Sequence, residues 1–500
     1  MAERASIHQE RHQHMTIDAT TTKLSFASTL HYAPDYLQRC ARALDEALFS
    51  APAYEAWRQL DPGPASPVFS RLAALPALTK GDLRKYGPQG FVPQGRDIAE
   101  GLAPDTPDPV EGSRGLSPDR VNRGLAPDRI SRGLAAGEIE LVTTSGTTDD
   151  QVTNVWYQPW WDASEAASWQ LNAHARAVAT GAHREAILTS PWCTGFPCED
   201  GYLTREQRTL GRFLYLSERS DPSAWSDALM ERMVDELNAF RPVVLEANPS
   251  FLARLSRYIV SRRLRVYSPK LIVLTYENPS VLHYRQIGRA FDAPIASSYG
   301  STEAGYVFME CEAGRLHQVT ASCHVDFLPF APQHGGPDMG RILVTLFDNP
   351  WRSLVRFDVG DAVRLDTQAP CPCGRHEGLT LASVEGRTAN LTRTPEGQAV
   401  TQGMVDRALS AVAGLEEYQL LQIGPFAYAL HFVVEGAEPH LVAGAAREAL
   451  KAVYGPAALI TARPVEAIAP DPPGKYRLTR ALAPPDPDAL LDDKYAPRLP

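Results

Sequence analysis

The sequence lacks the features that mark membrane, secreted and nucleic-acid-binding proteins. None of its apolar runs reaches the ~18 residues that a membrane-spanning helix needs, and residues 1–13 are polar and rich in histidine, unlike a signal peptide. Basic residues are not in excess, because the formal net charge is −10 and both signs are mixed along the chain. We therefore expect a cytoplasmic protein that binds neither membranes nor nucleic acids.

Cysteine is scarce, with seven residues in a chain of 500. An odd number of thiols in a long chain argues against a disulfide framework and for a reducing compartment. Cys371 and Cys373 nevertheless form a Cys-x-Cys pair, and Cys311 and His317 lie about sixty residues earlier. Three thiolates and one imidazole are a common tetrahedral set for structural zinc. Three alternatives remain open: buried free cysteines, ligands from Cys323-His324, and a bond within the Cys371/Cys373 pair.

The length of the chain predicts more than one domain, because single cores stop growing near ~250–300 residues. Residues 1–22 are predicted to be a disordered leader, 23–386 a large N-terminal domain, 387–484 a small C-terminal domain and 485–500 an extended tail. Within the first domain, residues 98–136 contain a repeat of nine residues that starts at Arg114 and again at Arg123. Its frequent proline and glycine predict a flexible surface insertion.

Apolar strand-like runs alternate with helical patterns between residues ~138 and ~385, which predicts an α/β domain with mostly parallel sheets flanked by helices. The strand candidates are Glu138–Thr143, Glu185–Thr189, Pro242–Leu245, Leu271–Thr275, Ala293–Ser297 and Arg341–Leu346. The helix candidates are Ala163–Ala179, Ala224–Ala239, Pro249–Ser261 and Val281–Ala290. The remainder is predicted to be a small α+β module, with helices near 402–413 and 439–453 and strands near 427–434 and 458–466.

A hydroxyl-rich loop with a central glycine follows the first of these strands. It consists of Thr144, Ser145, Gly146, Thr147 and Thr148. Hydroxyl and backbone N–H donors suit phosphate oxygens, and a glycine lets the backbone approach a bulky anion. The loop is therefore a candidate polyphosphate site, although turns of this composition are common.

Four further motifs follow this loop in a fixed order. They are Ser298-Tyr299-Gly300-Ser301-Thr302-Glu303, Arg356-Phe357-Asp358-Val359-Gly360-Asp361, Glu385-Gly386-Arg387 and Pro472-Pro473-Gly474-Lys475. The ordered series resembles the adenylate-forming (ANL) superfamily, which includes acyl- and aryl-CoA ligases. The phenylacetate-CoA ligase and coenzyme F390 synthetase branch is most similar, through Leu75–Lys80, Ala247–Ser250 and Cys371–Arg375. Similar cysteines in that branch are associated with bound zinc.

The resemblance implies a large domain with a small mobile lid, and activation of a carboxylic acid by ATP and Mg²⁺ as an acyl-adenylate. It implies that Glu303 holds Mg²⁺, that Thr302 contacts the α-phosphate and that Lys475 bridges carboxylate and phosphate oxygens. The nucleotide would lie among the phosphate loop and a second set of residues. That set is Glu277, Asn278, Tyr299, Gly300, Ser301, Asp361 and Arg387, with Asp361 accepting hydrogen bonds from the ribose.

Two features depart from the family pattern. The phosphate loop ends in Asp149-Asp150-Gln151, where the family has glycine, proline or lysine, and carboxylates near a triphosphate are repulsive. The acidic pair usual after the arginine is also missing, since Thr388-Ala389-Asn390 follows Arg387. The first departure bears on ATP affinity, and the second on the domain rotation that precedes thioester formation.

The predicted substrate is a small carboxylic acid, aromatic or arylacetic in character, and the predicted acceptor is coenzyme A. Trp156, Tyr157, Trp160 and Trp161 either line an aryl pocket or pack a helix against the sheet. An amine or a protein thiol as acceptor is the first alternative, and a non-catalytic nucleotide-binding scaffold is the second. A homodimer is the candidate assembly.

Overall fold

The computed structural model describes residues 31–94, 129–144, 151–178, 182–191, 198, 202–367, 370–471 and 474–495. The predicted leader and residues 98–128 of the predicted insertion lie outside this part of the chain. Residues 129–135, which were assigned to the flexible insertion, instead form a helix whose Ile130 is buried beside Trp351. No helix in the described ranges has both the length and the apolarity for a bilayer crossing.

The described residues form α-helices and β-strands. The helices are α1 Tyr36–Ser50, α2 Val68–Ala74, α3 Lys80–Tyr86, α4 Arg129–Ala135, α5 Gln158–Trp169, α6 Ala173–Val178, α7 Asp227–Phe240, α8 Pro249–Ser261, α9 Val281–Ala290, α10 Gln402–Ser410 and α11 Pro439–Tyr454. The first ten strands are β1 Glu140–Thr143, β2 Thr153–Trp156, β3 Glu185–Leu188, β4 Thr209–Leu210, β5 Phe213–Tyr215, β6 Val244–Ala247, β7 Leu271–Leu274, β8 Ile295–Ser301, β9 Gly305–Glu310 and β10 Leu316–Gln318. The remaining strands are β11 Cys323–Pro329, β12 Met339–Leu346, β13 Phe357–Leu365, β14 Thr380–Arg387, β15 Thr392–Arg393, β16 Ala399–Val400, β17 Leu415–Gln422, β18 Ala427–Val434, β19 Leu459–Pro464 and β20 Thr479–Ala481.

A twelve-stranded sheet, counted over the described residues, forms the centre of the large domain. Its order is β11-β12-β13-β14-β10-β9-β8-β7-β6-β3-β5-β4. Strands β5, β3, β6, β7 and β8 run parallel, and β3, β6 and β7 are buried along their whole length. Such continuous burial is typical of parallel strands covered by helices on both faces. The predicted α/β class is confirmed.

The sheet is less uniformly parallel than predicted. From β8 to β11 each neighbouring pair is antiparallel. Of the strands beyond β8, the sequence predicts only β12, and the other antiparallel strands were not predicted. These strands alternate buried and partly exposed positions over short stretches, and three of their pairings contain register shifts. Local periodicity alone identifies such irregular strands poorly.

Two predicted helices, α8 and α9, have the predicted bounds, but the helix predicted at Ala163–Ala179 is divided. It begins earlier, ends at Trp169 and resumes at Ala173. The division has a local cause, since the Asn172 side-chain oxygen accepts hydrogen bonds from the backbone N–H groups of His174 (2.9 Å) and Ala175 (3.0 Å). An asparagine used in this way caps a new helix.

The C-terminal residues form a four-stranded sheet, in the order β19-β18-β17-β20, with α10 and α11 packed on it. Strand β17 lies inside this sheet but was not predicted. Its sequence, Leu-Glu-Glu-Tyr-Gln-Leu-Leu-Gln, follows strict alternation poorly, and a bulge lies between Leu415 and Glu417. The pairing with β18 and β20 therefore overrides a weak local signal.

Buried polar contacts join this C-terminal unit to α9 of the large domain. The Gln286 amide donates to the backbone oxygen (2.6 Å) and to the carboxylate (2.8 Å) of Glu416. Arg285 donates to the Leu415 carbonyl at 2.8 Å. The backbone N–H of Val281, at the start of α9, donates to Asp406 at 2.7 Å. Burial raises the pKa of Asp406 to about 6 despite this bond.

This raised pKa makes the stability pH-dependent through Asp406. Because the folded state holds the proton more tightly than the unfolded chain, the contribution is present at pH ~4 and is lost as the pH rises through about 6. Relative to Asp406→Asn, the wild type should lose about 2 kcal/mol of unfolding free energy between pH 4.5 and pH 7.5. Urea unfolding of both proteins at the two pH values measures this difference in unfolding free energy. The exposed control Asp493→Asn should track the wild type, and parallel curves for wild type and Asp406→Asn would contradict the prediction.

Candidate nucleotide site and metal centre

Strands β8, β13 and β14 bring Tyr299, Asp361 and Arg387 together. Asp361 on β13 faces Arg387 in the register with β14. The Tyr299 hydroxyl donates to Asp361 Oδ2 at 2.7 Å, and Arg387 Nε lies 3.2 Å from Oδ1. Burial, and then the Asp361 carboxylate, raise the pKa of Tyr299 well above its usual value, so the phenol remains a donor. A carboxylate has about four lone-pair sites, so Asp361 can still accept hydrogen bonds from a ligand.

Glycines shape the turns around this group. A side chain at Gly300 would bring a Cβ within 2.1 Å of the Gly305 carbonyl oxygen, because β8 and β9 approach closely there. Gly360 has a φ of +82°, which favours glycine. The Ser301 hydroxyl accepts from the backbone N–H of Ala304 at 3.1 Å, and Thr302 next to it is half-buried. Gly300 and Ser301 thus build the turn that presents Thr302 and Glu303.

Glu303 is a buried carboxylate, 3% exposed, that lies between two cations. Its Oε1 atom is 3.5 Å from the Lys80 ammonium and has no hydrogen-bond donor. The Arg352 guanidinium donates to the Glu303 carbonyl at 3.3 Å. Burial alone would raise the pKa of Glu303, but Lys80 and Arg352 outweigh it and hold that pKa below its usual value. A charged, incompletely bonded carboxylate oxygen fits a cation such as Mg²⁺.

The sequence analysis assigned no role to Lys80 or Arg352. Lys80 is the first residue of α3, which starts there because Thr79 and Asp82 form a reciprocal capping box. That box is readable in the sequence and could have singled out Lys80. Arg352 lies in the connection between β12 and β13, and no local pattern distinguishes it from the other arginines.

Thr144 closes the base of the predicted phosphate loop. Its backbone N–H donates to the Val152 carbonyl at 3.0 Å, and its hydroxyl accepts from the Val152 N–H at 3.0 Å. These bonds continue the antiparallel β1–β2 pair. Ser145, Gly146, Thr147 and Thr148 lie outside the described residues, and their role stays a prediction.

The segment around Lys475 docks against the large domain. The Tyr476 N–H donates to Glu277 Oε1 at 2.8 Å, and the Ser250 hydroxyl donates to Oε2 of the same carboxylate at 2.8 Å. Gly474 has a φ of +104° and packs so closely that a Cβ would lie 2.8 Å from the Ser220 carbonyl oxygen. Burial raises the pKa of Glu277, and Lys475 is near enough to oppose that shift.

Asn278 links this segment to the strand that carries Arg387. Its side-chain amide donates to the Val384 carbonyl of β14 at 3.2 Å. Glu277, Asn278, Tyr299, Asp361 and Arg387 are thus connected through β14 and its neighbours. The Asp361 carboxylate raises the pKa of Arg387, and the Glu303 carboxylate contributes to the same shift. Contacts therefore link the Glu277–Asn278 segment, through β14, to the Tyr299–Asp361–Arg387 group.

The aromatic residues after the hairpin divide into two groups. Trp160 is 8% exposed, belongs to the main core and donates to the Phe347 carbonyl at 2.9 Å, so it packs α5 against the sheet. Trp156 and Trp161 are half-buried and stacked, with ring centroids 4.1 Å apart, and Tyr306 lies 5.8 Å from Trp161. The packing interpretation therefore applies to Trp160.

Cys311, His317, Cys371 and Cys373 form one cluster, with all four candidate ligand atoms within 4.8 Å of one another. The Sγ atoms of Cys311 and Cys371 are 3.8 Å apart, and Cys373 Sγ is 3.3 Å from His317 Nε2. Zinc–sulfur bonds of about 2.3 Å in a tetrahedron give sulfur separations near 3.8 Å. Burial lowers the pKa of His317 to about 4, which keeps the imidazole neutral.

Sheet pairing explains how these ligands meet. His317 lies on β10, which pairs with both β9 and β14. Cys311 directly follows β9, and Cys371 and Cys373 precede β14. The Thr380 hydroxyl lies 3.3 Å from His317 Nδ1 and can orient the ring. Cys323 and His324, the competing ligand source, lie outside the cluster, and His324 contacts the Tyr36 hydroxyl instead.

The fold is similar to that of solved structures of a 2-hydroxyisobutyryl-CoA ligase. A 2-hydroxyisobutyryl-CoA ligase in the postadenylation state, in complex with R3-HIB-AMP, aligns with a TM-score of 0.61 over 94% of this chain and 95% of that chain, at 15% identity. The same enzyme in complex with 2-HIB-AMP aligns with a TM-score of 0.60 over 89% of this chain and 88% of that one, also at 15% identity.

Sequence similarity is weaker than structural similarity. Protein CapK of Staphylococcus aureus is 24% identical over 180 residues, which are 36% of this chain and only 39% of CapK. No family model matches the chain. The comparisons therefore show the fold, while membership of the adenylate-forming superfamily and of its phenylacetate-CoA ligase-like branch stays a prediction.

The four-ligand cluster predicts about one zinc per chain in freshly purified protein. Cys371→Ser should release that zinc and lower the midpoint of thermal unfolding, because a structural zinc contributes directly to folding. A loss of roughly 2 kcal/mol would lower the midpoint by about 2 °C in a chain of this size. Metal analysis and calorimetry measure both quantities.

Cys323→Ser is the matched control, because Cys323 is equally buried but stands outside the cluster. It should keep the zinc even if it lowers stability. Metal-free wild-type protein, or zinc loss in Cys323→Ser alone, would contradict the assignment.

Proposed function

We propose that this protein is an AMP-forming acid ligase, which activates a carboxylic acid with ATP and then transfers the acyl group to coenzyme A. The observation that carries the proposal is the docking of the Lys475 segment on Glu277 beside the Tyr299–Asp361–Arg387 group. That docking supplies a basic side chain from one unit to a polar region built by the other. Such an arrangement suits a nucleotide that reacts where two domains meet.

The nucleoside would lie against Tyr299 and the Glu277–Asn278 segment. Asp361 has lone pairs left for both ribose hydroxyls, while Tyr299 and Arg387 fix its orientation. Because those two bonds hold the carboxylate before a ligand arrives, little ordering is needed when the ribose binds.

In the first step, a carboxylate oxygen of the acid attacks the α-phosphorus of ATP. The bond from that phosphorus to the bridging oxygen breaks, an acyl-adenylate forms and pyrophosphate leaves. Two anions must approach each other, so neutralisation of charge governs the barrier. Lys475 would contact both the carboxylate and the α-phosphate, and Thr302 would donate its hydroxyl to the latter. Glu303 would hold Mg²⁺, which supplies charge neutralisation at the phosphates when bound.

In the second step, the sulfur of coenzyme A attacks the acyl carbon, a thioester forms and AMP leaves. An amine or a protein thiol would react at the same carbon, so the acceptor is the less constrained half of the proposal. The half-buried aromatic group of Trp156, Trp161 and Tyr306 supports an aromatic acid, since stacked rings of this kind favour flat apolar partners.

Lys475→Ala should lower ATP–pyrophosphate exchange by at least ~10²-fold, the scale of losing one positioned charge in a transition state. The fold should persist, because the hydrogen bond to Glu277 comes from the backbone of Tyr476. Lys494→Ala is the matched control, since Lys494 is exposed near the same end of the chain. An unchanged exchange rate in Lys475→Ala would remove the role of Lys475.

The whole proposal is tested by ATP–pyrophosphate exchange over a panel of aryl, arylacetic and short hydroxy acids. Exchange with one class of acid identifies the substrate class. Preformed adenylate is then offered coenzyme A or amines, and the compound that consumes it is the acceptor. If no acid supports exchange, the protein is better explained as a nucleotide-binding scaffold.

A further inference from the structure

Arg352 differs from the other buried arginines of the described residues. Four of these five arginines form ion pairs with carboxylates: Arg71 with Asp45 and Asp61, Arg208 with Glu236, Arg341 with Asp358, and Arg356 with Asp326. Arg352 is 7% exposed, and the two described groups that it bonds are both neutral. They are the Glu303 carbonyl and the side-chain oxygen of Asn154.

An isolated buried cation is costly unless a counter-charge is near. The Glu303 carboxylate opposes the effect of burial on the pKa of Arg352, but the Lys80 ammonium shares this carboxylate at 3.5 Å. Two cations therefore face one carboxylate, and one positive charge is left in excess. Burial lowers the pKa of Arg352 to about 10, which still leaves the guanidinium charged at neutral pH.

The position of Arg352 indicates which anion would balance this charge. Asn154 lies on β2, the strand that leaves the phosphate loop, and Glu303 ends the turn that presents Thr302. Arg352 thus connects the two segments that would surround a triphosphate. The phosphate loop ends in Asp149-Asp150-Gln151, where the resembled family has glycine, proline or lysine, so a cation for the triphosphate would come from elsewhere in the fold.

We propose that Arg352 is the fixed cation of the pyrophosphate end of the nucleotide site, where it binds the β- and γ-phosphates and the departing pyrophosphate. This inference rests on the proposed function, because it assigns one end of the same site. A guanidinium held by two neutral oxygens keeps N–H groups and its full charge for phosphate oxygens. Its burial strengthens that attraction, because the surrounding dielectric constant is low.

Equilibrium binding tests this role without depending on turnover. Calorimetry measures the dissociation constants of ATP, inorganic pyrophosphate and AMP, each with excess Mg²⁺, for the full-length protein. Arg352→Gln should weaken ATP and pyrophosphate by about 10- to 100-fold, the scale of a lost charged hydrogen bond. AMP has no β- or γ-phosphate, so its affinity should change little. Arg352→Lys keeps the charge, so it should show the same selective loss of ATP and pyrophosphate affinity, but a smaller one. This second variant keeps the inference testable if Arg352→Gln misfolds.

Arg71→Gln is the matched control. Arg71 is also a buried arginine, but its partners are Asp45 and Asp61, away from this region. Arg71→Gln should lower stability, but it should not weaken pyrophosphate binding more than AMP binding. Equal losses for AMP and ATP in the Arg352 variants, or unchanged pyrophosphate affinity, would overturn the inference while leaving the proposed function intact. A wild-type protein that binds neither ATP nor AMP would overturn both.

Discussion

The Asp361 carboxylate, bonded by Tyr299 on one side and by Arg387 on the other, is the interaction on which the proposed site depends. It ties β8 to β13 and β14 within the central sheet. Because a carboxylate accepts several hydrogen bonds, it is fixed by the protein and still able to bind a ligand. The backbone nearby requires glycine at two positions. Gly300 lets β8 and β9 approach closely, and Gly360 adopts a positive φ.

The charged residues of the proposed site come from parts of the chain that the local sequence does not connect. The phosphate loop carries acidic residues after its hydroxyls, whereas the cations come from distant positions: Lys80 from the first residue of a short helix, Arg352 from a connection between strands, and Lys475 from the C-terminal unit. Each approaches from a different part of the fold. An anionic ligand would therefore depend on the relative placement of several elements.

The cysteine–histidine cluster has a different place in the molecule. It joins the ends of β9, β10 and β14, so it holds together the antiparallel half of the sheet that also carries Arg387. A metal bound there would stabilise the strand that presents Arg387 without touching the nucleotide. We therefore regard the cluster as a structural element and not as part of the nucleotide site.

The sequence by itself determined the buried parallel strands, α8 and α9, the order of the motifs and the four ligands of the cluster. These features depend on local sequence patterns: apolar runs, helical periodicity, glycine-containing turns and the spacing of thiols. Only the tertiary structure decided the antiparallel half of the sheet, the division between α5 and α6, and the meeting of Lys80 and Arg352 at Glu303. Strand pairing and the balance of buried charges depend on residues hundreds of positions apart, and no local pattern records such distances.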